Sequence, residues 1–341
     1  RAILGDDARL AALCGEEAVD AVRHVLFIPN IELRTSTIVR SPDGHDRRVN
    51  FHVLFSDEIM PEQIEEDFLR EVKFTAESSP GGTDEVWPLT SRNLETLGQR
   101  LKTQHTPFAV MSDLVVGMMN AVVDHGQVSE ILERKRSIVG NRYRWAGPAD
   151  EDLSNWSWNG QGHLARKLMI QKSHMLLSAN ARTRDFALGL RHPSVEAFIT
   201  EFKSLKPCVH GSDAHDVEHL FVPDGAQYTW IKADPTFAGL KRILREPDSR
   251  VFIGPEPPAL DRQRTNTTRY FDLISFTKEP ESTLDEHWFS GDVPFNTGLV
   301  AIIGNKGSGK SALADSLGLV GNSPRELHFS FLNDGKFRRP R

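Results

Sequence analysis

The sequence predicts an α/β protein of two domains. Three observations carry that expectation. Short apolar runs alternate with segments of helical period over residues 1–255. A stretch rich in proline and charge follows, GPEPPALDRQRTN at 254–266. A glycine-rich loop then separates an apolar run from a helical one near residue 305. A chain of 341 residues has room for two domains of ~150 residues, each able to bury a core without staples.

Taken in order, residues 1–23 predict a helix, with Ile3, Leu10, Leu13, Ala18 and Val22 on one side. Val25-Leu26-Phe27-Ile28 predicts a buried strand that leads through Pro29-Asn30 into Ile31-Glu32-Leu33. Residues 47–56 predict a second strand, and Pro61 opens a short amphipathic helix. SSPGGTDE at 78–85 has the composition of a loop. Segments 91–103 and 111–137 carry helical spacing, and 145–162, with three tryptophans, reads as a long irregular stretch. Helices at 163–171, 193–203 and 235–244 alternate with strands at 174–179, at 228–231, at 251–253 and in the run ending at Cys208-Val209-His210-Gly211. Residues 256–266 are expected to link a first domain, 1–255, to a second, 267–341, which begins with the strand-like YFDLISFT.

Composition narrows the function classes. A net charge of −6 excludes a generally polybasic nucleic-acid binder while leaving room for a local basic groove. Two cysteines, Cys14 and Cys208, exclude a disulfide framework and a four-cysteine zinc site, and they suit the reducing cytoplasm. No apolar run approaches the ~20 residues of a membrane span, so no membrane partner is expected. The chain opens on Arg1 within a helical pattern and stops in Lys336-Phe337-Arg338-Arg339-Pro340-Arg341, which reads as a piece of a longer protein.

The strongest motif is Gly304-Asn305-Lys306-Gly307-Ser308-Gly309-Lys310-Ser311, which fits GxxxxGK[ST]. It follows the apolar run 298–303 and precedes a helical segment from Ala312. Glycines let successive N–H groups turn toward phosphate oxygens, and the new helix adds its positive end. Lys310 is the expected ligand of the β- and γ-phosphates and Ser311 of Mg²⁺, so ATP is the expected cofactor. A second constellation offers metal chemistry. Asp213 and His215 stand two apart after an apolar run, a spacing that points both to one side of an extended chain. Glu32 closes another apolar run. His52 lies on the face of its strand opposite Phe51 and Val53, where it needs a partner or a metal.

These residues carry a resemblance. Cys208-Val209-His210-Gly211-Ser212-Asp213-Ala214-His215-Asp216 resembles the last motif of PHP (polymerase and histidinol phosphatase) domains. PNIELR around Glu32 resembles their bridging-glutamate motif, and VNFHVLFSD the histidine motif that follows. EFKSLKPCVHGSDAHD and TWIKADPTFAGLKRILREP are similar to the TrlF family, in which a PHP domain is fused to an SMC-like ABC ATPase. GLVAIIGNKGSGKSALADSL and FSFLN at 329–333 resemble the start of that ATPase. The resemblance implies a distorted (β/α)7 barrel and then the beginning of a P-loop ATPase domain. It implies a cluster of up to three Mn²⁺, Zn²⁺ or Fe²⁺ ions, with Glu32 bridging and His52, Asp213 and His215 as terminal ligands.

The implied activity is ATPase-coupled phosphoester hydrolysis, as a nuclease on DNA or RNA in antiviral defence, with Asp213 and His215 as catalytic ligands and ATPase heads pairing in a homodimer or larger homo-oligomer. The family's opening HxH motif has no counterpart before Glu32. Its middle histidine is sought among His125, His163, His174 and His192, with His174 placed first because it starts a predicted strand. Two alternatives accompany this reading: a PHP scaffold without metals beneath an SMC-like ATPase, and a phosphatase of small phosphomonoesters.

Overall fold

The computed structural model describes residues 7–40, 46–77, 85–104, 110–135, 140–149, 162–277, 280, 291–296, 298–324 and 328–333. Residues 1–6 of the expected first helix, most of the loop 78–85, the tryptophan-rich stretch 150–161 and the terminal KFRRPR lie outside the described residues. The chain divides into two compact units, Arg1–Pro255 and Glu256–Arg341.

The first unit is mixed α/β. Its strands are β1 (Asn30–Arg40), β2 (Asp46–Phe55), β3 (Lys73–Ala76), β4 (Trp87–Pro88), β5 (Ala121–Val123), β6 (Tyr143–Ala149), β7 (Met175–Leu177) and β8 (Cys208–Val209). They form one sheet in the order β4-β3-β5-β1-β2-β6-β7-β8. β1 pairs antiparallel with β2 and β2 with β6, while β6, β7 and β8 run parallel. β5 lies parallel to β1 and antiparallel to β3. Two further strands, β9 (Thr229–Ile231) and β10 (Val251–Ile253), make an antiparallel pair. Its Thr229 hydroxyl accepts the His210 N–H at 2.7 Å and donates to the His210 carbonyl at 2.8 Å, which ties the pair to the end of β8.

Strand period explains the core. On β2, Val49, Phe51, Val53 and Phe55 are buried, while Asn50, His52 and Leu54 on the other face are only half-buried. The buried face meets Phe68, Phe74, Val116 and Trp145 in the largest apolar cluster. Phe51 stacks on Trp145 with ring centroids 4.6 Å apart, within the range that favours offset aromatic pairs. A smaller cluster gathers Val49, Met169, Leu176, Ala187, Cys208 and Ile253.

Helices 91–104 and 113–120 pack antiparallel at very short range, because each presents a glycine to the other's backbone. A Cβ on Gly98 would stand 1.8 Å from the Asp113 carbonyl oxygen, and one on Gly117 1.9 Å from that of Leu94. Lys102 clamps the pair from the side, donating to Asp113 Oδ1 at 2.9 Å and to the Met111 carbonyl at 2.8 Å.

Several elements differ from the sequence reading. Val25–Ile28 is not a strand, and Val25 and Phe27 are 41% and 60% exposed. β2 ends at Phe55, whose N–H reaches the Pro29 carbonyl at 2.9 Å, so the ladder offers the upstream run no partner. The expected helix 111–137 is broken by β5. Val122 and Val123 pair with Thr75 and Phe74 of β3, and tertiary pairing overrides the helical spacing there. Ser112 and Asp124 cap the two resulting helices, accepting the Val115 and Gln127 N–H groups. The expected linker 256–266 contains a helix, Pro258–Thr265, with Pro258 at its first turn.

The second unit holds an antiparallel pair, β11 (Leu273–Phe276) and β12 (Gly291–Pro294), and the helix Lys310–Val320. The apolar run 298–303 forms no strand, and Leu299 and Ile303 are 95% and 88% exposed. Among the described residues no strand pairs with it, and without a ladder an extended run is not a strand. No described helix is long and apolar enough to cross a membrane.

Candidate functional site

β1 and β2 bring two expected ligands together. Glu32 pairs directly with His52 in the antiparallel register, which sets their Cβ atoms about 5 Å apart on one face. That face is the one turned away from Phe51 and Val53. Two asparagines complete the group. Asn50 donates from Nδ2 to Glu32 Oε1 at 2.9 Å. Both amide atoms of Asn30 lie within hydrogen-bond distance of His52 Nδ1, Nδ2 at 2.9 Å and Oδ1 at 3.1 Å. Among the described residues, the buried Asn50 Oδ1 finds no hydrogen-bond partner. Carboxylate, imidazole and amide oxygen are a donor set that suits a divalent ion such as Mn²⁺, Fe²⁺ or Zn²⁺. Glu32 and His52 therefore fit as one half of such a site.

Asp213 and His215 stand elsewhere on the sheet. They lie beyond the C-terminal end of β8, whereas the register places Glu32 and His52 level with Ala146 of β6 and Met175 at the start of β7. Asp213 and His215 are exposed, and Asp213 adopts a left-handed backbone, φ 46°. Aspartate tolerates that conformation better than most residues. Asp216 closes the following turn by accepting the N–H and the ring Nδ1 of His219 at 2.9 and 2.6 Å. The backbone N–H of His219 is the chief cause that holds the Asp216 carboxyl below its usual range. Among the described residues no group of three or more His, Cys, Asp and Glu side chains is close enough to hold a metal.

His174 has a structural partner. Its Nδ1 accepts the Trp145 N–H at 3.0 Å while its own N–H donates to the Trp145 carbonyl at 3.0 Å. An accepting Nδ1 leaves the proton on Nε2, so in this arrangement the ring presents no second lone pair. Burial pushes its pKa down to about 4, and the nearby charges of Arg144 and Lys206 push the same way. His125 is buried against Phe51 and Trp145, and burial likewise lowers it to about 4. His192 bonds Glu201 at 3.2 Å among Phe186, Phe198 and Phe202, within a small satellite core. The side chain of His163 lies outside the described residues.

Cys208 is core. Burial raises its thiol to about 12, which disfavours the thiolate that nucleophilic attack requires. Cys14 is exposed. Ellman's reagent is therefore expected to titrate one thiol of the folded chain promptly and the second only after denaturation. Prompt reaction of both would show that the cluster around Cys208 is open.

The GxxxxGK[ST] segment 304–311 leads into the helix Lys310–Val320, with no strand at 298–303 among the described residues. Gly304, Gly307 and Gly309 take φ of 157°, 88° and 83°, conformations open to glycine without strain. The loop closes through the Ser308 N–H on the Asn305 carbonyl at 3.2 Å, and Lys310 Nζ reaches the same carbonyl at 2.6 Å. Lys306 and Ser311 are exposed. The helix that follows is fastened by a residue the motif does not single out. Asp315 is buried and accepts the N–H groups of Phe331 and Leu332 at 2.6 and 3.0 Å. That bond spans sixteen residues, which is why local pattern reading misses it.

A cavity of about 340 Å³ lies beside the first half of β1, lined by Ile31, Glu32, Leu33, Leu69, Leu89 and Met118 among others. Compared with protein-family models, curated proteins and solved structures, the chain matches none.

Proposed function

We propose that the first unit is a metal-dependent phosphoesterase of the PHP type, a distorted (β/α)7 barrel, and that the second begins an ATP-binding domain of the SMC-like kind, as in the TrlF family. On this reading the protein is a cytoplasmic, homo-oligomeric nuclease whose cleavage of DNA or RNA is coupled to ATP hydrolysis in antiviral defence. The observation that carries the reading is the direct pairing of Glu32 with His52, two residues that the sequence marks as ligands and the β1–β2 register sets side by side. The loop at 304–311 supports the ATP part through its three glycines and the returning lysine.

A bound divalent metal supplies Lewis acidity toward phosphoryl oxygen and makes water acidic enough to attack phosphorus near neutral pH. Glu32 and His52 offer it an oxygen and a nitrogen donor from adjacent strands. On this reading Asp213 and His215 would complete the set once the loop after β8 brings them from beyond that strand to Glu32 and His52. At the second unit, Lys310, which here bonds the Asn305 carbonyl, would hold phosphate oxygens of ATP, and the Ser311 hydroxyl would hold Mg²⁺.

Metal content by inductively coupled plasma mass spectrometry tests the reading. The purified protein is expected to carry two or three equivalents of Mn, Zn or Fe, and Asp213→Ala is expected to lose most of them along with phosphodiesterase activity. The same variant should bind a fluorescent ATP analogue as the parent does, whereas Lys310→Ala should lose nucleotide and keep metal. Less than a tenth of an equivalent in the parent would replace the nuclease with a metal-free scaffold under the ATPase.

A further inference from the structure

We infer that Asn30 is a positioning residue that selects the ring tautomer of His52, with Asn50 as its counterpart on Glu32. The inference rests on the metal-site reading for its purpose but not for its geometry. Asn30 and Glu32 are two apart on β1, Asn50 and His52 two apart on β2, so all four share one face of the ribbon. The bonds run diagonally across it, Asn30 to His52 and Asn50 to Glu32, in the same sense.

Asn30 can hold Nδ1 in two ways. Its Nδ2 can donate to an unprotonated Nδ1, which places the ring proton on Nε2. Its Oδ1 can instead accept from Nδ1–H, which makes Nε2 the unprotonated nitrogen. Both contacts have hydrogen-bond lengths, so turning the amide over exchanges one state for the other with no change of backbone. A histidine that ligates through Nε2 is oriented by a carbonyl or carboxylate oxygen accepting from Nδ1–H, and Asn30 Oδ1 stands in that place. Asn50 does the complementary work, since its Nδ2 occupies Glu32 Oε1 and leaves Oε2 as the carboxylate's other donor atom. Neither asparagine supplies chemistry of its own. Each acts through the residue it holds.

The test reads the tautomer directly. Two-bond ¹H–¹⁵N correlation spectra of the ¹⁵N-histidine-labelled 341-residue protein distinguish a protonated from an unprotonated ring nitrogen at each histidine. His52 is expected to carry its proton on Nδ1. Asn30→Leu should move it to Nε2, and Asn30→Asp, which offers only acceptor oxygens, should keep it on Nδ1. Unchanged signals of buried His125 and His174 report that each variant is folded, and Asn30→Asp gives the second reading if the leucine variant is not. Zn²⁺ is then titrated into each. Affinity should fall 10- to 100-fold in Asn30→Leu and recover in Asn30→Asp, the size of effect seen when a ligand's supporting partner is removed. A His52 tautomer that is the same in all three proteins overturns the inference, whatever the zinc does. A tautomer that follows residue 30 while Zn²⁺ leaves His52 unmoved upholds the positioning role and instead overturns the metal-site reading.

Discussion

Gly98→Ala is expected to destabilise the first unit by about 3 kcal/mol or more, although the substitution favours an exposed helix by about 1 kcal/mol. The new methyl group would stand 1.8 Å from the Asp113 carbonyl oxygen and 2.6 Å from its carbon. No rotamer can relieve this, because both partners are backbone. The helices must separate, and the apolar cluster that includes Leu97, Leu101 and Val116 must open with them. Gly117→Ala meets the same obstacle at Leu94. The two effects should fall short of their sum, since one separation accommodates both methyl groups. Urea unfolding at neutral pH measures the change, and a loss below about 1 kcal/mol in either variant would mean that the helices do not approach this closely.

Acid should weaken the same unit well before its carboxylates titrate. His125 and His174 are buried with pKa values near 4, against 6.5 for the ring in an unfolded chain. Between those limits the unfolded state binds protons that the folded state refuses, so stability falls as pH falls. Each ring contributes about 3 kcal/mol that is fully present above pH 6.5 and lost by pH 4. Both rings contact Trp145, one through its backbone and one through its indole, so the losses need not add. The urea midpoint should drop between pH 7 and pH 5, a window above the carboxylate range. His125→Leu should flatten the dependence. A midpoint that does not move would show that the rings are not held neutral in the folded protein.

Much of the first unit was legible in its sequence because strand period writes one face as apolar. Val49, Phe51, Val53 and Phe55 announced β2, and the same period placed His52 opposite them. What the period does not contain is register. That Glu32 stands against His52 depends on which residue of β1 meets which of β2, and no local pattern states it. For the same reason Asn30 and Asn50 passed unnoticed, since an asparagine becomes informative only when its diagonal neighbour is known. β5 was hidden because three residues are too few to outweigh helical spacing on either side. His174, the first candidate for the middle histidine, instead accepts the Trp145 N–H, a bond that exists only once β6 and β7 are side by side. The glycine-rich segment 304–311 stands out because its pattern is local, whereas the apolar run before it has no strand partner among the described residues to make it a strand.

The two faces of the β1–β2 ribbon have a consequence for how faithfully the chain assembles. A slip of one residue between these strands would turn every side chain of the moving strand to the opposite face. Phe51 and Val53 would meet water, and Asn50 and His52 would be driven among Phe68, Phe74 and Trp145. A mispaired ribbon thus announces itself as an exposed core, long before any test of ligand binding could detect it. The apolar side of the ribbon serves the polar side as a proofreader against such slips: a chain that has buried Phe51 and Val53 has also turned Glu32 and His52 to one common face.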